Sequence, residues 1–224
     1  MCSGKREDEM KNKVDFLAGL KDHLTPYYTV PQTDGVHDVT HVMRMAKMGD
    51  GIRTRCSLDF DLDEYEVAVW LHNVDRVPPF HGEVERLKKE GKSFSGALAI
   101  IVRRLLEGSS FQNNARYRIV DAVVQHSKKD DEPDDSHLLT ALRIADKLDR
   151  LNPLGVLTNA IWTGSIVPMY DPRHPLGYDS TAEGKIRFGY HGLFRILEWV
   201  AMLPSDEARS LINKEDMRAF IDFM

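Results

Sequence analysis

The sequence predicts an all-α, single-domain helical bundle. Apolar residues recur at three- and four-residue steps along most of the chain, one segment is apolar on nearly every side, and no alternating run bounded by turn residues suggests a β-hairpin. A chain of 224 residues that is 42% hydrophobic and 29% charged is long enough to bury one substantial core, so one domain over 1–224 is expected.

The first helix is expected from Met10 to Leu24, where Val14, Phe16, Leu17, Leu20 and Leu24 fall at helical steps; Pro26 should end it. Tyr27 to Gly35 reads as a loop, and Val36 to Met48 resumes the helical pattern through Val39, Val42, Met43 and Ala46. Asp61, with Glu64 three residues on, has the form of a capping box. It opens a helix through Tyr65, Val67, Ala68, Trp70 and Leu71 to about Val74. Because that helix is apolar on most sides it should be central, which buries His72 and Asn73 at its end unless they face a cavity.

Val77 to Lys92, with Pro78, Pro79, Gly82 and Gly91, reads as irregular with a short helix around Glu83 to Lys89. Ser93 to Glu107 is a helix stopped by Gly108, and Asn113 to Gln125 is another. The charged run Lys128 to Asp135 reads as a solvated loop; Ser136 then caps a helix to about Leu151, ahead of Pro153. Thr163 to Lys185 is expected to be a long loop able to lie over a site. Gly189 to Leu203 and Ser205 to Phe223 read as two amphipathic helices that pack on the rest.

A net charge of −5 with scattered Lys and Arg argues against nucleic acid as a partner, yet leaves room for a small phosphate-binding pocket. Cys2 and Cys56 show neither metal nor disulfide spacing, and nothing before Met10 has the apolar core of a signal peptide. A cytoplasmic setting is the expectation. Apolar runs such as Ala97 to Val102 fall far short of the roughly 20 residues that span a bilayer, so no membrane partner is expected.

The chemistry-bearing residues are polar groups set in apolar helices. His37 and His41, four apart, would share one helix face; WLHNVDR holds His72 and Asn73, and RIADKLDRL holds Asp146 and Asp149. Burying an imidazole or a carboxylate without a partner costs several kcal/mol, on the order of what a core residue contributes, so such groups need one another or a metal.

In this order, VHDVTHVMRMA, VAVWLHNVDR, VVQHSKKDD and LRIADKLDRL resemble the HD superfamily of metal-dependent phosphohydrolases, especially its small stand-alone members. The resemblance covers 36–160 and implies an HD-type bundle on which the helices of 189–224 pack. It implies a divalent cation held by His41, His72 and Asp146, with Asn73 standing where the family has the aspartate of its His-Asp pair. Two imidazoles favour Mn, Fe or Zn over Mg.

The activity implied is hydrolysis of a small phosphorylated molecule such as a nucleotide, with Asp75 and His81 as general acid and base. Arg44 would orient a carboxylate or hold a phosphate, while His126 would be a ligand, a phosphate contact or a helix-end histidine. His37, Asp38, Asp75, His81 and His126 are the residues able to complete a shell weakened by Asn73. Asp149 reads as a helix-stabilising or supporting group. The alternative is a catalytically degenerate HD-domain protein, a binding or regulatory module that self-associates as a homo-oligomer; Asn73 supports it, since an amide brings a neutral oxygen and an NH₂ in place of a carboxylate.

Overall fold

A computed structural model of the chain describes residues 3–29, 37–128, 132, 134–158 and 198–223. Seven helices build the body: α1 (Ser3–Tyr28), α2 (Val39–Arg55), α3 (Leu62–Leu71), α4 (Phe80–Lys89), α5 (Phe94–Leu105), α6 (Asn113–Gln125) and α7 (His137–Arg150). A 3₁₀ turn, Val74–Arg76, lies between α3 and α4, and two short helices, Asp206–Arg209 and Lys214–Phe223, come last. Among the described residues there is no strand, and no helix is long and apolar enough to cross a membrane.

The apolar α3 is central. Val67, Ala68, Val69 and Leu71 are wholly buried, and α1, α2, α6 and α7 all pack on it. The crossing of α2 with α7 forms the other main contact, and Leu203, Ala208 and Phe220 bring the C-terminal segment into the same core. That arrangement sets the ends of α2, α3, α6 and α7 around one buried polar cluster.

Where the elements differ from expectation, tertiary contacts explain the difference. α1 runs through Pro26 to Tyr28 instead of stopping before the proline. A proline inside a helix costs ~3 kcal/mol; here Tyr28 is fully buried, stacks edge-on against Trp70, and donates its hydroxyl to the Trp70 carbonyl at 3.0 Å. α4 begins at Phe80, three residues earlier than the expected start at Glu83. Pro78 and Pro79 precede it, where a missing N–H removes no helical bond, and Phe80 anchors it against Tyr27.

Asp61 caps α3, accepting from the amides of Asp63 at 2.8 Å and Glu64 at 3.2 Å. The reciprocal half of the capping box is absent, because Glu64 is buried toward α6 and accepts from Arg118 Nε at 2.9 Å. Ser93 and Ser136 cap α5 and α7 as expected, and Gly108 takes a left-handed φ of 80° beyond α5.

The charged run before α7 is not wholly solvated. Glu132 and Asp134 are exposed, but Asp135 pairs with the buried Arg143 of α7. The stretch Ser205 to Phe223 is two helices, not one, with Ser205 and Asn213 capping them through Ala208 and Glu215. Of the expected helix Gly189 to Leu203, positions 198–201 are helical; the rest of that segment and the loop Thr163 to Lys185 lie outside the described residues.

Candidate metal centre

His41 sits in the first turn of α2, where the Asp38 carboxylate accepts its backbone N–H at 2.9 Å. Asp38 is therefore occupied as a helix cap and does not complete a metal shell. Since α2 begins only at Val39, His37 lies outside the helix, and the shared face expected of His37 and His41 does not form. His37 is buried, and its ring meets the His41 ring edge-on with centroids 6.1 Å apart.

His72 closes α3. Its Nδ1–H donates to the Val69 carbonyl at 2.6 Å, which fixes the tautomer and leaves Nε2 with a lone pair. His126 closes α6 in the same manner, donating Nδ1–H to the Val123 carbonyl at 2.7 Å, and stands edge-on to His72 with centroids 5.2 Å apart. Two helices thus end on a histidine whose free nitrogen points away from its own carbonyl ladder.

His41 donates Nδ1–H to Asp149 at 2.7 Å, so Nε2 is the nitrogen it turns toward His72. The two Nε2 atoms lie 3.1 Å apart, and Asp146 Oδ1 is 3.6 Å from His41 Nε2. One ligand atom from each of His41, His72 and Asp146 lies within 4.8 Å of the other two. Three acceptors converge with no donor of their own among them, a set that suits a divalent cation. His37, Asp75 and His126 are outside this convergent group.

Exposure and charge distinguish the three. The side chains of His41 and His72 are essentially buried, at 1% and 0%, whereas Asp146 is 21% exposed and gives the centre its outlet. Burial, with His41 and His126 as neighbouring charges, pushes His72 well below the ordinary imidazole range, against the pull of Asp146. His126 is lowered chiefly by burial, opposed by Asp146 and Asp75. Burial raises the Asp146 carboxyl, but Arg150, His41, His72 and His126 together outweigh it and hold it far below the usual carboxylate range. The site therefore keeps His72 neutral beside an ionised Asp146, the protonation state a cation requires of these two ligands.

Asn73, 4% exposed, places its Nδ2 2.6 Å from His72 Nε2. Asp75 is buried in the 3₁₀ turn, paired with Arg76 at 3.2 Å, and its backbone carbonyl accepts from Nδ1 of the exposed His81 at 3.1 Å. Arg44 clamps Asp149, with Nε to Oδ1 at 2.6 Å and Nη2 to Oδ2 at 2.9 Å, so it orients a carboxylate. The sequence reading missed Arg150, which donates Nη2 to Asp146 Oδ1 at 3.0 Å; the four-residue spacing of Asp146 and Arg150 on one helix is the signal that marks it.

No protein-family model matches the sequence. No curated protein matches it either. Solved structures do match the fold. A crystal structure from Lactobacillus plantarum superposes with a TM-score of 0.65 at 13% identity, covering 93% of each chain. An HD-superfamily hydrolase from Bacillus thuringiensis gives 0.61 at 16% identity, covering 96% of this chain and 95% of its own. Bacillus subtilis YpgQ in complex with ADP gives 0.51 at 17% identity, covering 90% and 92%. With the helix order, the buried centre and these superpositions together, the chain has the all-helical fold of the HD superfamily.

Proposed function

We propose that this protein is a metal-dependent phosphohydrolase acting on a small phosphoester, with His41, His72 and Asp146 holding the cation. The observation that carries the reading is the approach of the two imidazole Nε2 atoms to 3.1 Å beside the Asp146 carboxylate. Each Nδ1–H is committed to an acceptor, so neither ring can turn its proton inward at no cost. A divalent cation there would withdraw charge from a phosphoryl oxygen and lower the pKa of water.

The remaining roles fall to residues in or beside the segments that carry those ligands. Asp146, held ionised by Arg150, supplies the only carboxylate among the three ligands and is the one open to solvent. Asp75 and His81 are the acid and base of this reading. With His81 Nδ1–H held on the Asp75 carbonyl, its Nε2 is the atom that accepts or gives the proton. His126 turns a free Nε2 away from Val123 beside His72 and suits a phosphate oxygen when protonated or an added ligand when neutral. Because YpgQ was crystallised with ADP, nucleotides are the first phosphoesters to try.

The test is elemental analysis of protein purified without chelator, together with turnover of nucleotides and phosphomonoesters in Mn²⁺. Stoichiometric transition metal and turnover are expected, and His72→Ala should lose both while keeping its helical circular dichroism. Wild-type protein with neither metal nor turnover would rule the hydrolase out. One observation favours a second reading, a non-catalytic binding module: Asn73 as placed donates Nδ2–H to His72 Nε2, filling by hydrogen bonding the position a cation would take.

A further inference from the structure

We propose that Asp149 is a positioning residue that dictates which nitrogen of His41 faces the cation site, with Arg44 as its clamp. The metal-affinity part rests on the reading above; the part about the histidine does not. Asp149 and His41 are 108 residues apart, and both side chains are almost wholly buried where α7 crosses α2.

The direction of every hydrogen bond in this network is forced. Carboxylates only accept and a guanidinium only donates. Arg44 gives Nε–H and Nη2–H to Asp149, and Nη1–H to Thr40 Oγ1 at 2.9 Å. Thr40 must therefore pass its own proton on to Asp38 Oδ1, at 2.7 Å. The same Asp38 oxygen accepts the His41 backbone N–H at 2.9 Å. The circuit closes on His41 itself: its backbone is tied through Asp38 and its ring through Asp149 Oδ2 at 2.7 Å. Nδ1 must carry a proton, and in the neutral ring Nε2 is then the bare nitrogen toward His72 and Asp146.

A plain ion pair between α2 and α7 would need only Arg44 and Asp149. Here the second oxygen of Asp149 also serves the histidine, and Thr40 and Asp38 hold the arginine that holds Asp149. Exchanging the carboxylate for an apolar side chain of similar size exposes the difference. In Asp149→Leu the acceptor of the His41 Nδ1–H is gone, while Nε2 still faces His72 Nε2 at 3.1 Å and Asp146 Oδ1 at 3.6 Å. The ring proton then moves to Nε2, where it occupies the cation's place.

The experiment is long-range proton–nitrogen NMR of His41 in metal-free protein at pH 8, paired with Mn²⁺ titration by electron paramagnetic resonance. Wild type should show Nδ1 protonated and Asp149→Leu should show Nε2 protonated, with Mn²⁺ affinity lower by about 10–100-fold, the range seen when a ligand's supporting partner is lost. Arg44→Lys, which keeps one donor on Asp149, should retain the Nδ1 proton and bind Mn²⁺ more tightly than Asp149→Leu does. A purely structural Asp149 would lower the melting temperature but leave tautomer and affinity as in wild type, and that result overturns the proposal. Should Asp149→Leu not fold, an unprotonated Nδ1 in wild type or in Arg44→Lys overturns it instead. If wild type binds no Mn²⁺, the hydrolase reading fails, while the tautomer comparison still decides the role of Asp149.

Discussion

Asn73 governs the strength of the centre, because it is the one position where a charge is missing and a competing donor is present. Two neutral imidazoles and one carboxylate leave a dication with a residual charge of about +1, and the Asn73 amide must also leave His72 Nε2 before a cation can approach it. Asn73→Asp removes the competing donor and adds a negative charge. At an effective dielectric of 20, a unit charge ~4 Å away contributes ~4 kcal/mol before the cost of desolvation. Mn²⁺ affinity should rise by on the order of tenfold or more, ~1.4 kcal/mol, as read by calorimetric titration; unchanged or weaker binding would show that Asn73 does not limit the site. His41, His72 and Asp146 were legible in the sequence because each is polar at an apolar position. Asp149 was legible only as a supporting group, since its bond to His41 depends on how α2 crosses α7, which no local pattern encodes. The same holds for Asp38, whose use as the cap of α2 follows from where that helix begins.

Two glycines in α2 separate the demands of packing from those of the helix itself. At Gly49 a Cβ would lie 2.6 Å from two ring atoms of Tyr65, which is buried and donates its hydroxyl to the Met45 carbonyl at 2.8 Å. Tyr65 cannot swing aside without losing that bond, so α2 and α3 approach closely only because position 49 lacks a side chain. At Gly51 nothing lies within 4 Å. Gly51→Ala should therefore stabilise by up to ~1 kcal/mol through helix propensity. Gly49→Ala gains the same term but overpacks the contact, at ~1–3 kcal/mol, and should be less stable than Gly51→Ala in urea denaturation. Equal midpoints would mean that the α2–α3 contact gives way freely. Elements defined by local chemistry were read well: α6 has the expected bounds, and Ser93, Ser136 and Asp61 cap their helices. Elements decided by distant partners were not. α1 continues past Pro26 because Tyr28 docks on Trp70, and Glu64 abandons the capping box for Arg118.

The three proposed ligands come from α2, the end of α3 and α7, segments joined in the native fold but remote along the chain. An unfolded chain has no reason to bring them together, so a cation bound there stabilises the native state by mass action, whereas a hydrogen-bonded cluster needs no cation and gains nothing from one. The bundle was readable from helical periodicity, yet periodicity is the same for both cases; only the convergence of lone pairs separates them. Chelator-treated protein titrated with Mn²⁺ should melt at progressively higher temperature. The gain is ~2.7 kcal/mol at a concentration one hundred times Kd, or roughly 5–10 °C for a chain of this size. Asp146→Asn should abolish the shift, because it removes the only carboxylate of the donor set. A wild-type melting temperature indifferent to millimolar Mn²⁺ would instead mean that Asn73 and His72 satisfy each other, and that the centre closes these helices as a polar core.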